Sequence, residues 1–330
     1  MNDPVADGLI HAFVIDDAGT INQLASDALD DWRGEQGTLW AHFDRSKPAT
    51  GRWLRDRSGL DGMVREALLA EDTRPRVTIV GEGAVVILRG VNLNPGAQPD
   101  DMISLRMWVD RHRLLSMRFP KLAAVGDVRE RLLAGDDLLT SGALLAGLAI
   151  AMTDRMAQVM ANLRELLDDF EEQTVEGFRP SLLEALGPVR RQVIVLRRYL
   201  SPQRDALIQL TESTLTWLTQ EDRARLREAL DRTTRFVEDL DSLRDRFVYV
   251  QEEMMAWQSQ QLNTTMYLLS IVSTVFLPLS FLTGVLGMNV AGLPGTEVWW
   301  AFGGVVIVMI AMALAEVGVL WWWGLIGRRG

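Results

Sequence analysis

The sequence predicts an α+β cytoplasmic domain, followed by a long stalk helix and two C-terminal transmembrane helices. Three observations carry that prediction. Residues 262–286 contain no charged side chain and residues 298–326 contain one, Glu316. About 20 predominantly apolar residues let a helix span hydrocarbon, so both stretches are long enough. Residues 9–119 instead hold short β-rich runs. Between these regions no proline occurs after Pro202 until Pro278, and no glycine after Gly187 until Gly284, which favours uninterrupted helix.

The elements follow in order. The first ten residues, MNDPVADGLI, have neither a basic n-region nor a long apolar core, so they do not read as a signal peptide. Residues 1–261 are accordingly expected in the cytoplasm. Strands are expected at 9–15, 38–43, 77–80, 84–88, 103–109 and 114–119, the last two joined as a hairpin across Asp110–Arg113. Helical periodicity begins near Leu122 and dominates from Leu138. The segment 142–152, GALLAGLAIAM, is too short to cross a bilayer and reads as a buried helix. Residues 221–286 read as one helix of roughly 100 Å. Its Leu226, Leu230, Val237, Leu240, Leu243, Phe247, Val250 and Met254 recur at three and four, the seam of a helix packed against others.

The expected division is therefore a cytoplasmic α/β domain (1–137), a helical part (138–220), the stalk (221–261), a first span (262–286), an external loop (287–297), a second span (298–326) and a cytoplasmic tail (327–330). Trp299 and Trp300 open the second span, and Trp321, Trp322 and Trp323 close it, as interfacial belts do. Arg328 and Arg329 follow that span, whereas the loop has no Lys or Arg. The positive-inside rule then puts both termini in the cytoplasm.

Composition excludes several functions. The 330 residues carry a net charge of −10, and Arg328 and Arg329 offset Glu297 and Glu316, so the excess lies in residues 1–261. Such a chain is not expected to bind nucleic acid, which selects basic surfaces. The absence of cysteine removes disulfides, thiol nucleophiles and thiolate metal sites. The three histidines, His11, His42 and His112, are spread among strands and loops and read as core or surface groups. No Gly-rich phosphate loop follows a strand and no nucleophile–base motif stands out, so no enzyme activity is expected. Asp168, Asp169, Glu171 and Glu172, with Glu238, Asp239 and Asp241, form acidic helical faces. Such faces can concentrate cations as a negative funnel, but no single residue reads as a metal ligand.

Asn263, Met266, Ser270, Ser273, Leu277, Ser280 and Gly284 recur at three or four along the first span and share one face. Polar stations alternating with Met266 and Leu277 would make a wet path with constrictions that gate by dewetting. The same small and hydroxylic residues also suit close helix packing. Two helices of one chain cannot enclose such a path, so transport would require an oligomer. Pro278 marks a local kink. Glu316 reads either as a proton-linked group or as a carboxylate near the inner interface that snorkels or pairs.

Gly287-Met288-Asn289 opens the loop, and Gly292, Pro294 and Gly295 then specify a tight turn. With the tract FLPLSFLTGVLGMN (276–289), two C-terminal spans and the α/β domain, the chain resembles the CorA metal-ion transporter family over nearly its whole length. The string GMNVAGLPG (287–295) and the tract LRRYLSPQRDAL (196–207) resemble the ZntB zinc-transporter branch. The magnesium branch usually has an aromatic where this chain has Leu286.

The resemblance implies a homopentameric, funnel-shaped assembly in a bacterial inner membrane, with five first spans lining an axial pore. Gly287 and Asn289 would ring the outer mouth with carbonyl and amide oxygens, Met288 would hold the loop, and the stripe would line the pore. A divalent cation is then the substrate, with no tightly bound cofactor. The partners are further copies of the chain and membrane lipid. Zinc, moved with protons, follows from the ZntB-like motifs; magnesium or cobalt, by channel-type flow, is the alternative. The pathway offers neither imidazole nor thiolate, the ligands dehydrated zinc favours, so the ion must pass hydrated or on oxygen. A membrane-anchored sensor or scaffold is the alternative of another class. It predicts that Asn289 and the stripe can change without consequence.

Overall fold

The computed structural model describes residues 8–71, 73–175, 177, 179–290, 293, 295 and 297–324. The chain forms two compact units, residues 1–251 and 252–330.

The first unit is built on a seven-stranded sheet. Its strands are β1 (Leu9–Ile15), β2 (Ile21–Gln23), β3 (Thr38–Asp44), β4 (Arg76–Val80), β5 (Gly83–Gly90), β6 (Ile103–Val109) and β7 (Arg113–Arg118), in the order β2-β1-β3-β7-β6-β5-β4. Only β3 and β7 run parallel; the other pairs are antiparallel. The expected β6–β7 hairpin forms because Asp110 organises its turn. One carboxylate oxygen accepts the backbone N–H groups of His112 and Arg113, each at 3.1 Å, and the other accepts Trp108 Nε1 and Arg113 Nε, each at 2.8 Å. Gly83 lets β5 approach β6, since a Cβ there would lie 2.3 Å from the Trp108 ring.

Helices cover both faces of the sheet. On one face α1 (Pro48–Asp56) and α2 (Gly62–Leu69) bury Trp53, Leu54, Val64 and Leu68 against Leu39, Ala41, Phe43 and Leu115. Neither helix nor the short β2 was expected from the sequence. On the other face α3 (Ala123–Leu133) and the first half of α4 (Ser141–Val175) pack on Phe13, Ile15, Trp40, Val86 and Met107. The apolar segment 142–152 is thus buried core, as its length predicted. The 18-residue window that makes α4 apolar enough to cross a membrane is 72% buried.

The rest of this unit is helical. α5 (Pro180–Glu212) and α6 (Gln220–Leu286) run beside α4, and the ring centroids of Phe170 and Phe247 lie 6.4 Å apart. The seam residues Leu226, Val237, Leu240, Leu243, Phe247 and Val250 are all buried. A capping box starts α6: Asp222 accepts the Thr219 backbone N–H and Thr219 Oγ1 accepts that of Asp222, each at 3.0 Å. Asp222 is itself buried, and Gly142 makes room for it, since a Cβ at Gly142 would sit 2.4 Å from its carboxylate.

The second unit contains the C-terminal part of α6 and α7 (Ala301–Trp322). Both helices are long and apolar enough to cross a membrane, and their apolar windows are 0% and 6% buried. Pro278 lies inside α6 without ending it. The expected tail 327–330, with Arg328 and Arg329, lies outside the described residues.

Candidate ion pathway

Exposure divides the C-terminal part of α6 into two faces. Ile271, Val275, Pro278, Leu282 and Val285 are partly shielded, whereas Met266, Ser270, Ser273, Leu277, Ser280 and Gly284 are exposed. At 3.6 residues per turn the two sets lie roughly 150° apart around the helix. α7 is the other helix of this unit among the described residues, and its shielded residues Ala301, Val305, Met309, Met312, Glu316 and Leu320 also share one face. The polar stripe therefore lies on the side of α6 away from its own shielded face, and Asn263, a turn further back, is exposed with it.

The stripe hydroxyls differ in what they do. Ser270 donates to the Met266 carbonyl at 2.9 Å, so its proton is spent on its own helix. Thr274 and Thr283 also bond back, to the Ser270 and Ser280 carbonyls. Asn263, Ser273 and Ser280 make no side-chain hydrogen bond among the described residues. Met266 and Leu277 are 68% and 71% exposed, presenting apolar surface on the same face.

α6 ends where the loop motif begins. Gly287 N–H donates to the Thr283 carbonyl at 2.9 Å and Met288 N–H to that of Val285 at 3.4 Å. A Cβ at Gly287 would stand 3.0 Å from the Thr283 carbonyl oxygen, so a larger residue would crowd the helix end. Met288 is half-exposed and Asn289 exposed. Gly295 takes φ +87, suited to the expected turn; Gly292 and Pro294 lie outside the described residues. Glu316 sits on the shielded face of α7, and its Oε2 is buried without a hydrogen-bond partner among the described residues.

The acidic faces are largely neutralised by arginine. Asp168 and Glu171 hold Arg246 at 2.6 Å, Asp239 pairs with Arg164, and Asp241 pairs with Arg197. The hydrogen bond from Arg197 holds the Asp241 carboxyl below the usual carboxylate range. Among the described residues no group of three His, Asp or Glu side chains converges as a metal holder.

Strand register reveals a histidine pair that separation in sequence conceals. His11 on β1 lies opposite His42 on β3, and their rings stack at 5.1 Å. His42 Nδ1 lies 2.8 Å from Ser116 Oγ, which accepts Trp40 Nε1 at 3.0 Å. Both Nε2 atoms are buried without a hydrogen-bond partner among the described residues. Burial, with Arg129 and Arg118 nearby, lowers the His11 pKa to about 3. His42 is held well below its ordinary value by burial, then by His11 and Arg118. His112 is exposed in the β6–β7 turn.

Residues 35–324 match the family model described as CorA-like Mg2+ transporter protein. The chain is 38% identical over 320 residues to the divalent cation transporter CmaX of Pseudomonas aeruginosa, covering 96% of this chain and 95% of that one. It is 34% identical over 315 residues to the zinc transport protein ZntB of Pectobacterium atrosepticum, covering 96% and 94%. The full-length CmaX structure superposes with a TM-score of 0.79 at 37% identity, over 94% of this chain and 98% of that one. The CorA magnesium transporter of Methanocaldococcus jannaschii shares the fold, with a TM-score of 0.79 at 20% identity over 97% and 98%. The chain belongs to the CorA family of metal-ion transporters.

Proposed function

We propose that the chain is an inner-membrane transporter that moves hydrated divalent cations, zinc foremost, through the axial pore of a homopentamer. The observation that carries the reading is the division of α6 into a partly shielded face and an opposite, exposed polar stripe. Five copies would turn Asn263, Met266, Ser270, Ser273, Leu277, Ser280 and Gly284 toward a common axis. Asn263, Ser273 and Ser280 then offer oxygen to the water shell of the ion, and Met266 and Leu277 form the constrictions that exclude water until the pore opens. Gly287 and Asn289 form the outer mouth. Neutral oxygen dipoles interact with an ion in proportion to its charge, which favours divalent over monovalent ions. Met288 braces the loop, and Glu316 links the pathway to protons. α6 and α7 span the membrane with both termini in the cytoplasm.

Zinc is supported by the ZntB-like loop and by the ZntB relatives. Magnesium is the second reading, supported by a donor set made only of oxygen, which suits a cation that dehydrates reluctantly. Flux into liposomes holding the purified protein tests both. Zinc uptake that grows with a pH gradient and collapses in Asn289→Ala is the expected result. Magnesium flux indifferent to the gradient would move the chain to the channel reading, and no flux of either ion would return it to the anchored-scaffold reading.

A further inference from the structure

A cavity of about 1240 Å³ in the first unit lies between α5 and the segment joining β5 to β6. Its walls have opposite charge. Arg191 and Arg198 stand on α5, and Asp100 and Asp101 on the facing segment. Seven residues, two turns, separate the arginines, so their backbones lie roughly 10 Å apart on one face. Arg191 makes no ion pair among the described residues. Arg198 is oriented by Tyr199: it donates to the phenol oxygen at 3.0 Å and its guanidinium lies 5.0 Å from the ring centroid. Arg89, 4.2 Å from the Tyr199 ring centroid, is committed to the floor, donating to the Thr73 and Met102 carbonyls. Past Gln192 a smaller pocket of about 300 Å³ adjoins, with Leu93, Pro99, Val159 and Leu163 in its walls.

We infer that this cavity binds a nucleoside di- or triphosphate as its magnesium complex. Two guanidiniums two turns apart fit an extended phosphate chain better than a single phosphate, and the arginine fork grips phosphate oxygens in pairs. Magnesium is characteristically held by one or two carboxylates together with a ligand's phosphates, which is what Asp100 and Asp101 opposite the arginines supply. The cavity far exceeds the size of an inorganic phosphate and, at about 1240 Å³, is somewhat larger than the usual small-molecule site of about 300–1,000 Å³, so it has room for a nucleotide. Its apolar annex takes the base. The inference uses only the first unit and does not depend on the transport reading.

Calorimetric titration of the full chain in detergent tests it, with magnesium present throughout and magnesium alone as the blank. ATP is expected to bind with a Kd below about 1 mM, and Arg191→Gln and Arg198→Gln each to weaken it about ten-fold or more. Asp100→Asn with Asp101→Asn should weaken binding of magnesium ATP, whereas in a separate titration in EDTA, without magnesium, the same variant should bind ATP no more weakly than the natural chain, since two like charges are gone. Val195→Glu, which puts a negative charge on the cavity face of α5, should abolish binding at an unchanged melting temperature. Absence of saturable ATP binding overturns the proposal, as does binding that none of these variants alters. Tripolyphosphate binding as tightly as ATP overturns the nucleoside assignment, and adenosine binding as tightly overturns the role of the phosphates.

Discussion

The buried histidine pair makes the stability of this protein depend on pH in a calculable way. His11 has a folded pKa of about 3 against 6.5 for the ordinary side chain. Its neutral form is the one the fold accepts, so the unfolded chain binds the extra proton. Stability is full above the unfolded pKa and is lost as pH falls from 6.5 toward 3. At pH 5 the unfolded histidine is favoured by about 1.5 pH units of protonation, or about 2 kcal/mol from His11 alone. His42 acts in the same direction, since burial and the neighbouring His11 hold it well below its usual value. For a unit of this size about 2 kcal/mol corresponds to roughly 4–8 °C in melting temperature. Thermal unfolding followed by circular dichroism at pH 7 and pH 5 measures it, comparing the natural chain with His11→Leu. The natural chain should lose about that much more than the variant. Carboxylates such as Asp16 and Asp241, which the fold holds below their usual range, act only at lower pH and do not confuse the comparison. Equal losses in the two proteins would refute the argument.

Other expectations follow from single contacts. Gly142→Val should lower stability by about 1–3 kcal/mol, as overpacking does, because any Cβ there meets the Asp222 carboxylate at 2.4 Å; a chemical denaturation midpoint reads it. Arg246→Gln breaks contacts to Asp168 and Glu171 that are half in solvent, so it should cost less than about 1 kcal/mol in the same assay. The chain has no cysteine, so thiol mapping has no background: Ser273→Cys and Ser280→Cys should react with a water-borne thiol reagent and lose flux, while Val275→Cys on the partly shielded face of α6 should not. Glu316→Gln should leave zinc flux indifferent to a pH gradient, and an unchanged pH dependence would remove the proton-linked role.

Where burial is strong on both sides, the sequence is transparent. β5 and β6 are almost wholly buried, each carries a dense set of apolar residues (in β6 broken only by Ser104 and Arg106), and their expected limits fall within two residues of those observed. α6 was legible because a 67-residue helix free of glycine until its last turns has few competitors. α1 and α2 escaped notice because they are nine and eight residues long, and their few buried positions are scattered among charges. Their signals were present nonetheless: Pro48 at a helix start, and Asp61, whose carboxylate accepts the Met63 N–H at 2.8 Å. The capping box at Thr219 and Asp222 had a sequence signature too. The pairing of His11 with His42 had none, because it depends on the register of two strands. The charged cavity had none either, since its two walls lie far apart in the chain. Along α6, periodicity marked the stripe but could not say which side of the helix is shielded; that required the exposure of each residue.

The same stripe bears on assembly. Helices in lipid gain nothing from burying apolar groups, so packing and polar contacts must hold them together. In the proposed membrane arrangement a lone chain would turn Ser273 and Ser280 toward hydrocarbon, each a polar group without a partner at a cost of about 1–3 kcal/mol. An oligomer that closes around the stripe removes that cost by hydrating it, so association and the water path share one cause in the proposed pentamer. The anchored-scaffold reading lacks this link, because there the serines serve only to pack. Ser273→Leu combined with Ser280→Leu separates the two. If the serines pack helices, bulky leucines should disturb oligomer size, seen by light scattering of the detergent complex. If they hydrate a pore, flux should fall to background even in the fraction that still runs as an oligomer, because the leucines leave no polar station for water along the path. Zinc and magnesium flux at natural levels in an intact oligomer of this variant would refute the pore.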